Sequence, residues 1–158
     1  MIREATAADT PAIHTLVREL ADYEKLLHEV KATEAQLHTA LFGPNPAAFA
    51  LIAEDDTTGE AVGFALWFLS FSTWEGVHGI YLEDLYVRPG ARGAGHGKAL
   101  LRHLATICET RDYARLQWAV LDWNTPSIAF YDSLGATPER EWIGYRLTGP
   151  ALTRLAQS

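Results

Sequence analysis

Cysteine is almost absent from the sequence, which contains only Cys108. A single cysteine excludes an intrachain disulfide framework. The Cys-x-x-Cys and His-Glu-x-x-His patterns that hold zinc are missing as well, and the six histidines show no metal-ligand spacing. We therefore expect neither a structural nor a catalytic metal, and we interpret Cys108 as a core residue of a predicted helix.

Long apolar runs and an excess of positive charge are also missing. No apolar stretch approaches the roughly 18 residues that a membrane-spanning helix needs, and the N-terminal MIREATAADT has no apolar signal core. The chain has 13 basic and 20 acidic residues, a balance that argues against a general nucleic-acid-binding protein. We expect a cytoplasmic protein that binds neither nucleic acid nor membranes.

The residues that are present predict one folded domain over residues 1–158, since 48% of them are apolar and no linker-like segment divides them. Apolar periodicity and capping signals divide the chain into elements. These are an opening strand at Ile2 and Arg3, a helix with apolar positions from Ile13 to Leu27, a second helix from the Thr33 capping box to about Phe42, strands over 49–54, 61–70, 78–87 and 116–120, helices over 93–110 and 126–134 (the latter capped by Thr125), a final strand over Trp142–Leu147, and a C-terminal turn or helix. This order predicts a mixed α/β fold whose sheet has antiparallel and parallel parts.

The segment HGIYLEDLYV, residues 78–87, carries two adjacent acidic residues inside a predicted strand. Side chains alternate between the two faces of a strand. We therefore expect Glu83 and Asp84 to point to opposite faces. Tyr81, Leu85 and Val87 should accompany Glu83, and Leu82 and Tyr86 should accompany Asp84.

A glycine-rich turn, RPGARGAGHGKALL, follows this strand and leads directly into a helix. The first N–H groups of a helix have no intrahelical partner, and the helix dipole favours negative charge there. Glycines let a phosphate approach such a backbone closely, so the turn predicts a site for a diphosphate-bearing ligand. A tight connection without a ligand is the alternative. The P-loop pattern is absent, and the glycine spacing does not fit the dinucleotide-binding fingerprint.

The motif Arg92-Gly93-Ala94-Gly95-His96-Gly97 resembles the [QR]-x-x-G-x-[GA] loop of the GNAT N-acetyltransferase superfamily, which cradles the pyrophosphate of acetyl-CoA. Asn124, followed by Tyr131 and Gly135, resembles the second signature of that superfamily. The segments IREATAAD, LADYEK, FSTW, IYLEDLYV and VLDWNTPSIAFYDSLGA resemble the diamine (spermidine/spermine) and thialysine N-acetyltransferases, from about Ile2 to Leu147. The resemblance implies a twisted, mixed, mostly antiparallel sheet of six to seven strands flanked by helices, and a homodimer.

The same resemblance implies direct attack of a primary amine on acetyl-CoA within a ternary complex. A lysine-like amine with a pKa near 10.4 is neutral to only about one part in a thousand at pH 7.4, so a base is useful. Glu83 is the candidate base, acting through water, and Tyr131 is the candidate proton donor to the sulfur of coenzyme A. The implied cofactor contacts are Leu85, Tyr86, Val87, Arg92, Gly93, Ala94, Gly95, His96, Gly97, Lys98, Asn124 and Tyr131.

The implied substrate contacts are Tyr23, Glu24, Thr73, Glu83 and Asp84, with an aromatic residue near Tyr145 as a further candidate. Structural alternatives exist: Glu83 in an ion pair, Tyr131 as a packing residue, and Asn124 as a backbone cap. Lys25 stands where the spermidine/spermine enzymes carry further acidic residues, so a lysine-like amine is favoured over a long polycation. Two other functions are open: acetylation of protein lysines or N-termini, and non-catalytic binding of acetyl-CoA.

Overall fold

Five strands form one sheet in the order β1-β2-β3-β4-β5. The computed structural model describes all 158 residues. The strands are β1 (Ile2–Glu4), β2 (Phe49–Glu54), β3 (Ala61–Ser72), β4 (Val77–Val87) and β5 (Leu116–Gln117). The first four pair antiparallel with their neighbours, and β5 runs parallel to β4. The predicted mixed, mostly antiparallel sheet is therefore confirmed.

Five α-helices accompany the sheet, and none of them has the length and apolar character needed to cross a bilayer. They are α1 (Thr10–Tyr23), α2 (Glu34–Phe42), α3 (His96–Thr110), α4 (Thr125–Ser133) and α5 (Gly149–Ala156). The chain divides into two compact units, Met1–Ala119 and Val120–Ser158. The first unit contains the sheet with α1, α2 and α3, and the second contains α4 and α5.

The core of the first unit lies between the sheet and its helices. Ile13 and Leu16 of α1 are fully buried against the sheet cluster that contains Phe64 and Leu66. Leu100 and Leu104 of α3 are also fully buried, at the four-residue spacing of one helix face. Cys108, on the same face of α3, is buried as expected.

The predicted count of six to seven strands is wrong, because Trp142–Leu147 forms no strand and β5 is only two residues long. A strand needs a neighbour to pair its backbone N–H and C=O groups. The second unit contains no strand that could pair with residues 142–147. The alternating apolar residues of this segment therefore indicate a preference for extended backbone, but the segment does not form a strand.

Helix α1 ends at Tyr23 although the apolar pattern continues to Leu27. Lys25 has a φ of +61°, which places it in the left-handed region that terminates helices. The N–H of Leu26 then donates to the carbonyl of Ala21 at 2.8 Å, the long-range bond of a Schellman motif. This ending turns the chain out of the helix directly after Glu24.

Helix α4 begins one residue earlier than predicted. Asn124, rather than Thr125, is the N-cap, because its side-chain oxygen accepts the N–H of Ser127 at 3.4 Å. Thr125 and Pro126 are the first two helical residues, where a missing proline N–H has no cost. Asn124 is therefore a backbone cap, whatever else its side chain contacts.

Candidate active site

A β-bulge in β4 determines where the acidic residues of the first unit point. Leu66 of β3 pairs with Asp84, but the next residue, Trp67, pairs with Leu82. Glu83 is therefore the extra residue of the bulge and has no partner on β3. Its side chain is exposed, whereas Asp84 is half-buried.

The bulge makes the predicted alternation of β4 wrong. Residues directly opposite each other in an antiparallel pair share a face. Tyr81, opposite Phe68, and Asp84, opposite Leu66, therefore lie on the same face, with their rings and carboxylate toward α1. Leu82 lies on the other face. An inserted residue shifts the two-residue period by one, and strand periodicity alone does not reveal it.

One edge of β4 is open next to the bulge. Strand β5 pairs only with Ile80 and Tyr81, so residues 83–87 continue past the end of that ladder. The other edge of residues 84–87 pairs with β3. Backbone groups at Leu85 and Val87 thus border a strand edge that can receive an extended ligand by main-chain hydrogen bonds.

The glycine loop has the backbone conformation that an anion site requires. Gly93 and Gly95 have φ values of +86° and +85°, in the left-handed region, and no atom lies within 4 Å of the place where a Cβ would stand. Gly95 caps α3, whose regular hydrogen bonding starts when Ala99 donates to the Gly95 carbonyl at 2.9 Å. The preceding amides, from His96 to Lys98, face the open loop as the unpaired first turn. This cradle fits a diphosphate.

Two arginines flank the loop, and each is turned toward α1. Arg88 donates from Nε and Nη2 to the carboxylate of Glu19 at 2.9–3.1 Å. Arg92 donates from Nε to the carbonyl of Val87 at 2.9 Å. Its guanidinium lies over the rings of Tyr23 and Tyr86, at 5.1 and 5.8 Å from their centroids.

Three carboxylates meet where the end of α1 approaches the bulge. Burial, together with the nearby charges of Glu83 and Glu24, raises the pKa of Asp84 to about 7. Burial also raises the pKa of Glu24. Near neutral pH this cluster holds a shared excess of negative charge, which a cation would relieve.

The structure brings together some of the predicted substrate contacts but not all of them. Tyr23 and Glu24 lie at the end of α1, where Tyr23 contacts Arg92 and the charge of Glu24, like that of Glu83, acts on Asp84. Thr73 lies in the β3–β4 turn, beyond Val77. The six residue-to-residue steps from Val77 to Glu83 span roughly 20 Å along β4 at about 3.3 Å each. Thr73 therefore does not reach the carboxylates of its own chain.

In the second unit, Tyr131 is half-buried on α4, with its ring centroid 5.5 Å from that of Phe130. Asn124 is buried at the N-cap of the same helix, with 6% of its surface exposed. Tyr145 is 95% exposed. Asn124 and Tyr131, which form the second motif together with Gly135, thus lie seven positions apart, at the N-cap of α4 and within it.

The sequence of the chain matches a known protein family. Residues 12–136 match the acetyltransferase (GNAT) family, so the matched region includes β4, the glycine loop and Tyr131. The chain belongs to the acetyltransferase (GNAT) family. GNAT enzymes use acetyl-CoA, and the open, glycine-lined start of α3 fits its diphosphate.

Several relatives of this GNAT acetyltransferase share nearly its whole length. A thialysine N-epsilon-acetyltransferase of Bos taurus is 41% identical and is covered to 96%, with 99% of this chain. The L-ornithine N5-acetyltransferase NATA1 of Arabidopsis thaliana is 31% identical and is covered to 85%, with 96% of this chain. An integron cassette protein from the mobile metagenome of V. cholerae matches with a TM-score of 0.82 and 30% identity, over 100% of this chain and 98% of its own.

Sequence reasoning missed two features of the site. The bulge at Glu83 leaves no periodic signal, although two adjacent acidic residues inside an apolar strand were an available hint. The contact between Arg92 and Tyr23 joins residues 69 positions apart, and only the folded chain reveals it.

Proposed function

We propose that this chain transfers the acetyl group of acetyl-CoA to a primary amine of a small molecule that carries a second charged group. The observation that carries the proposal is the carboxylate cluster of Glu24, Glu83 and Asp84 beside the open edge of β4. The relatives named for thialysine and for L-ornithine support the same class of acceptor. A lysine-like amine is favoured over a longer polycation, because Lys25 follows Glu24 directly.

The acceptor is recognised by charge in this proposal. An ammonium group placed near Asp84 offsets the repulsion from Glu24 and Glu83 and favours the ionised form of Asp84. The ring of Tyr23 adds an aromatic face at the same end of α1. Residues from two elements, α1 and β4, thus select a cationic substrate.

The reaction is a direct attack of the amine within a ternary complex, to which acetyl-CoA supplies an activated acetyl thioester. Glu83 accepts the proton of the ammonium through water, since its exposed side chain on the bulge can reach solvent. Backbone groups at Leu85, Tyr86 and Val87 bind the extended arm of the cofactor, and the loop from Gly93 to Lys98 binds its diphosphate. The phenol of Tyr131 donates a proton to the leaving sulfur, and Asn124 holds the start of its helix.

We also propose a homodimer, a single functional domain and a cytoplasmic location. The β3–β4 hairpin carries Phe71 and Trp74 at 55% and 90% exposure, an apolar tip that a second copy would cover. If Thr73 contacts the substrate, it does so from that second copy, because its own carboxylate cluster is out of reach. The family match crosses from the first unit into the second, which supports one domain. The single cysteine is consistent with a reducing compartment.

The experiment that tests the proposal combines binding and turnover. Acetyl-CoA should raise the melting temperature of the protein, and release of the free thiol should follow with lysine, thialysine, ornithine or short diamines as acceptors. Turnover with peptides and none with free amines would instead support a protein acetyltransferase. Stabilisation by acetyl-CoA without any thiol release would support a non-catalytic binding module.

A further inference from the structure

Arg92 links the glycine loop to helix α1. Its Nε bond to the Val87 carbonyl turns the guanidinium back toward the sheet, where it lies over the rings of Tyr23 and Tyr86. The side chain of Arg92, the residue that immediately precedes Gly93, thus makes three contacts: with the ring of Tyr23 at the end of α1 and with the carbonyl of Val87 and the ring of Tyr86 at the end of β4. A free positive charge aimed at the diphosphate would need none of these three contacts.

The link is separate from the contact that anchors α1 to the sheet. Glu19, four residues before Tyr23, already forms a two-point ion pair with Arg88, whose Nη1 also donates to the carbonyl of Ala61 at 3.2 Å. Helix α1 thus has its own attachment to the sheet, through the residue that directly follows β4. The contact of Arg92 acts one turn later, on the end of the helix that carries Tyr23 and Glu24.

We propose that Arg92 is a positioning residue, which couples the diphosphate loop to the amine-binding end of α1. The inference rests on the proposed function, because that function assigns one end of the contact to each substrate. When a diphosphate binds the amides that follow Gly93, it fixes the backbone of Arg92 and so the guanidinium over Tyr23. The coupling is reciprocal: amine binding at Tyr23 and Glu24 strengthens binding at the loop by the same factor.

The test is a double-mutant cycle on the binding of coenzyme A, which lacks the acetyl group and lets both sites fill without turnover. Dissociation constants are measured by calorimetry for the parent, Arg92→Met, Tyr23→Leu and the double variant. A partly exposed cation–π contact corresponds to about two- to fivefold in affinity. We expect Arg92→Met to weaken binding by about this factor when Tyr23 is present, and by a smaller factor in Tyr23→Leu.

Two further variants separate geometry from charge. Arg92→Lys keeps the charge but loses the Nε bond to Val87, so it should behave like Arg92→Met. Tyr23→Phe keeps the aromatic ring and should therefore retain the coupling to Arg92 in this cycle. Arg102→Met, on an exposed position of α3, is the matched control for loss of one arginine charge near the loop, and it should leave the cycle unchanged.

A second measurement uses the other substrate. The affinity for thialysine is compared with and without saturating coenzyme A, and the gain from coenzyme A should fall toward one in Arg92→Met. Two results would show that Arg92 acts as a charge on the diphosphate, and either would overturn the inference alone. One is an equal loss of coenzyme A affinity from Arg92→Met whether residue 23 is tyrosine or leucine. The other is an affinity of Arg92→Lys equal to that of the parent. No binding of coenzyme A by the parent would overturn the proposed function and the inference together.

Discussion

Replacing Asp84 with asparagine should stabilise the protein at neutral and alkaline pH. Burial among two other carboxylates raises the pKa of Asp84 from 3.8 to about 7. At 1.36 kcal/mol per pH unit, ionising this group in the folded state costs up to about 4 kcal/mol relative to the unfolded chain. Residual solvent screening around a half-buried side chain reduces the cost to about 2–3 kcal/mol. Asparagine has nearly the same shape and no charge, so it avoids the cost.

The sign of the pH dependence follows from proton binding. Between pH 4 and pH 7 the folded state holds the proton of Asp84 more tightly than the unfolded state does. The contribution of Asp84 to the free energy of unfolding therefore falls as the pH rises through this window and is constant above it. Asp84→Asn should match the parent near pH 4 and exceed it by about 2–3 kcal/mol at pH 8, which is roughly 4–12 °C in melting temperature for a chain of this size.

Urea unfolding at several pH values from 4 to 8.5 measures this difference directly. Glu24→Gln should move the midpoint of the pH dependence downward, because it removes one of the charges that raise the pKa of Asp84. Asp132→Asn, at an exposed position of α4, is the matched control and should show no such dependence. A constant difference between Asp84→Asn and the parent across this range would refute the assignment of Asp84 as a group that is neutral in the folded state below pH 7.

Three further predictions concern turnover and binding. Tyr131→Phe should lower kcat by about two orders of magnitude, the usual scale for a lost general acid, while calorimetry still detects binding of acetyl-CoA; unchanged turnover would remove Tyr131 from the mechanism. Glu83→Gln should slow turnover near neutral pH and shift the pH–rate profile, and a profile identical to that of the parent would assign the proton transfer to another group. Gly95→Ala should weaken coenzyme A binding about fivefold or more, because an L side chain at a φ of +85° costs about 1–2 kcal/mol and displaces the loop. An unchanged affinity for coenzyme A would show that the loop is not part of the binding site.

Much of the fold could be predicted because it depends on local signals. The capping box of Thr33 and Gln36 begins α2 where expected, and the side chain of Thr33 accepts the N–H of Gln36 at 3.2 Å. The glycine loop leads into α3 within three residues of the predicted start, because the left-handed Gly93 and Gly95 place the helix after them. The end of α1 was not predictable in the same way, since Lys25 occupies the left-handed position that usually requires glycine.

The residue types of the candidate site could be predicted from the sequence, but the directions of their side chains could not. Strand periodicity placed Glu83 and Asp84 on opposite faces of a regular strand, but Glu83 is the unpaired residue of a bulge and Tyr81 lies on the face of Asp84, opposite to the prediction. A bulge depends on the partner strand, here on the step between Leu66 and Trp67, and no feature within 78–87 encodes it alone. The identities of the residues in β4 therefore indicated the chemistry of the site. The faces on which their side chains lie depend on the pairing of β4 with β3.

The bulge also brings the residues that we propose for the two substrates into one short segment. On a regular strand, Asp84 would lie on the face of Leu82, away from α1, and the carboxylate cluster with Glu24 would not form. The extra residue rotates the strand after Leu82 so that Asp84 joins Glu24, while Glu83 is exposed beside it. The same irregularity lies next to the edge that β5 leaves open, so the carboxylates that we propose for the amine and the backbone that we propose for the cofactor follow one another directly along β4. Deleting Glu83 removes the inserted residue but leaves Asp84 opposite Leu66, so the variant should keep the pair of carboxylates of Asp84 and Glu24. It should still bind acetyl-CoA, measured by calorimetry, while its turnover near neutral pH falls because the proposed base is lost.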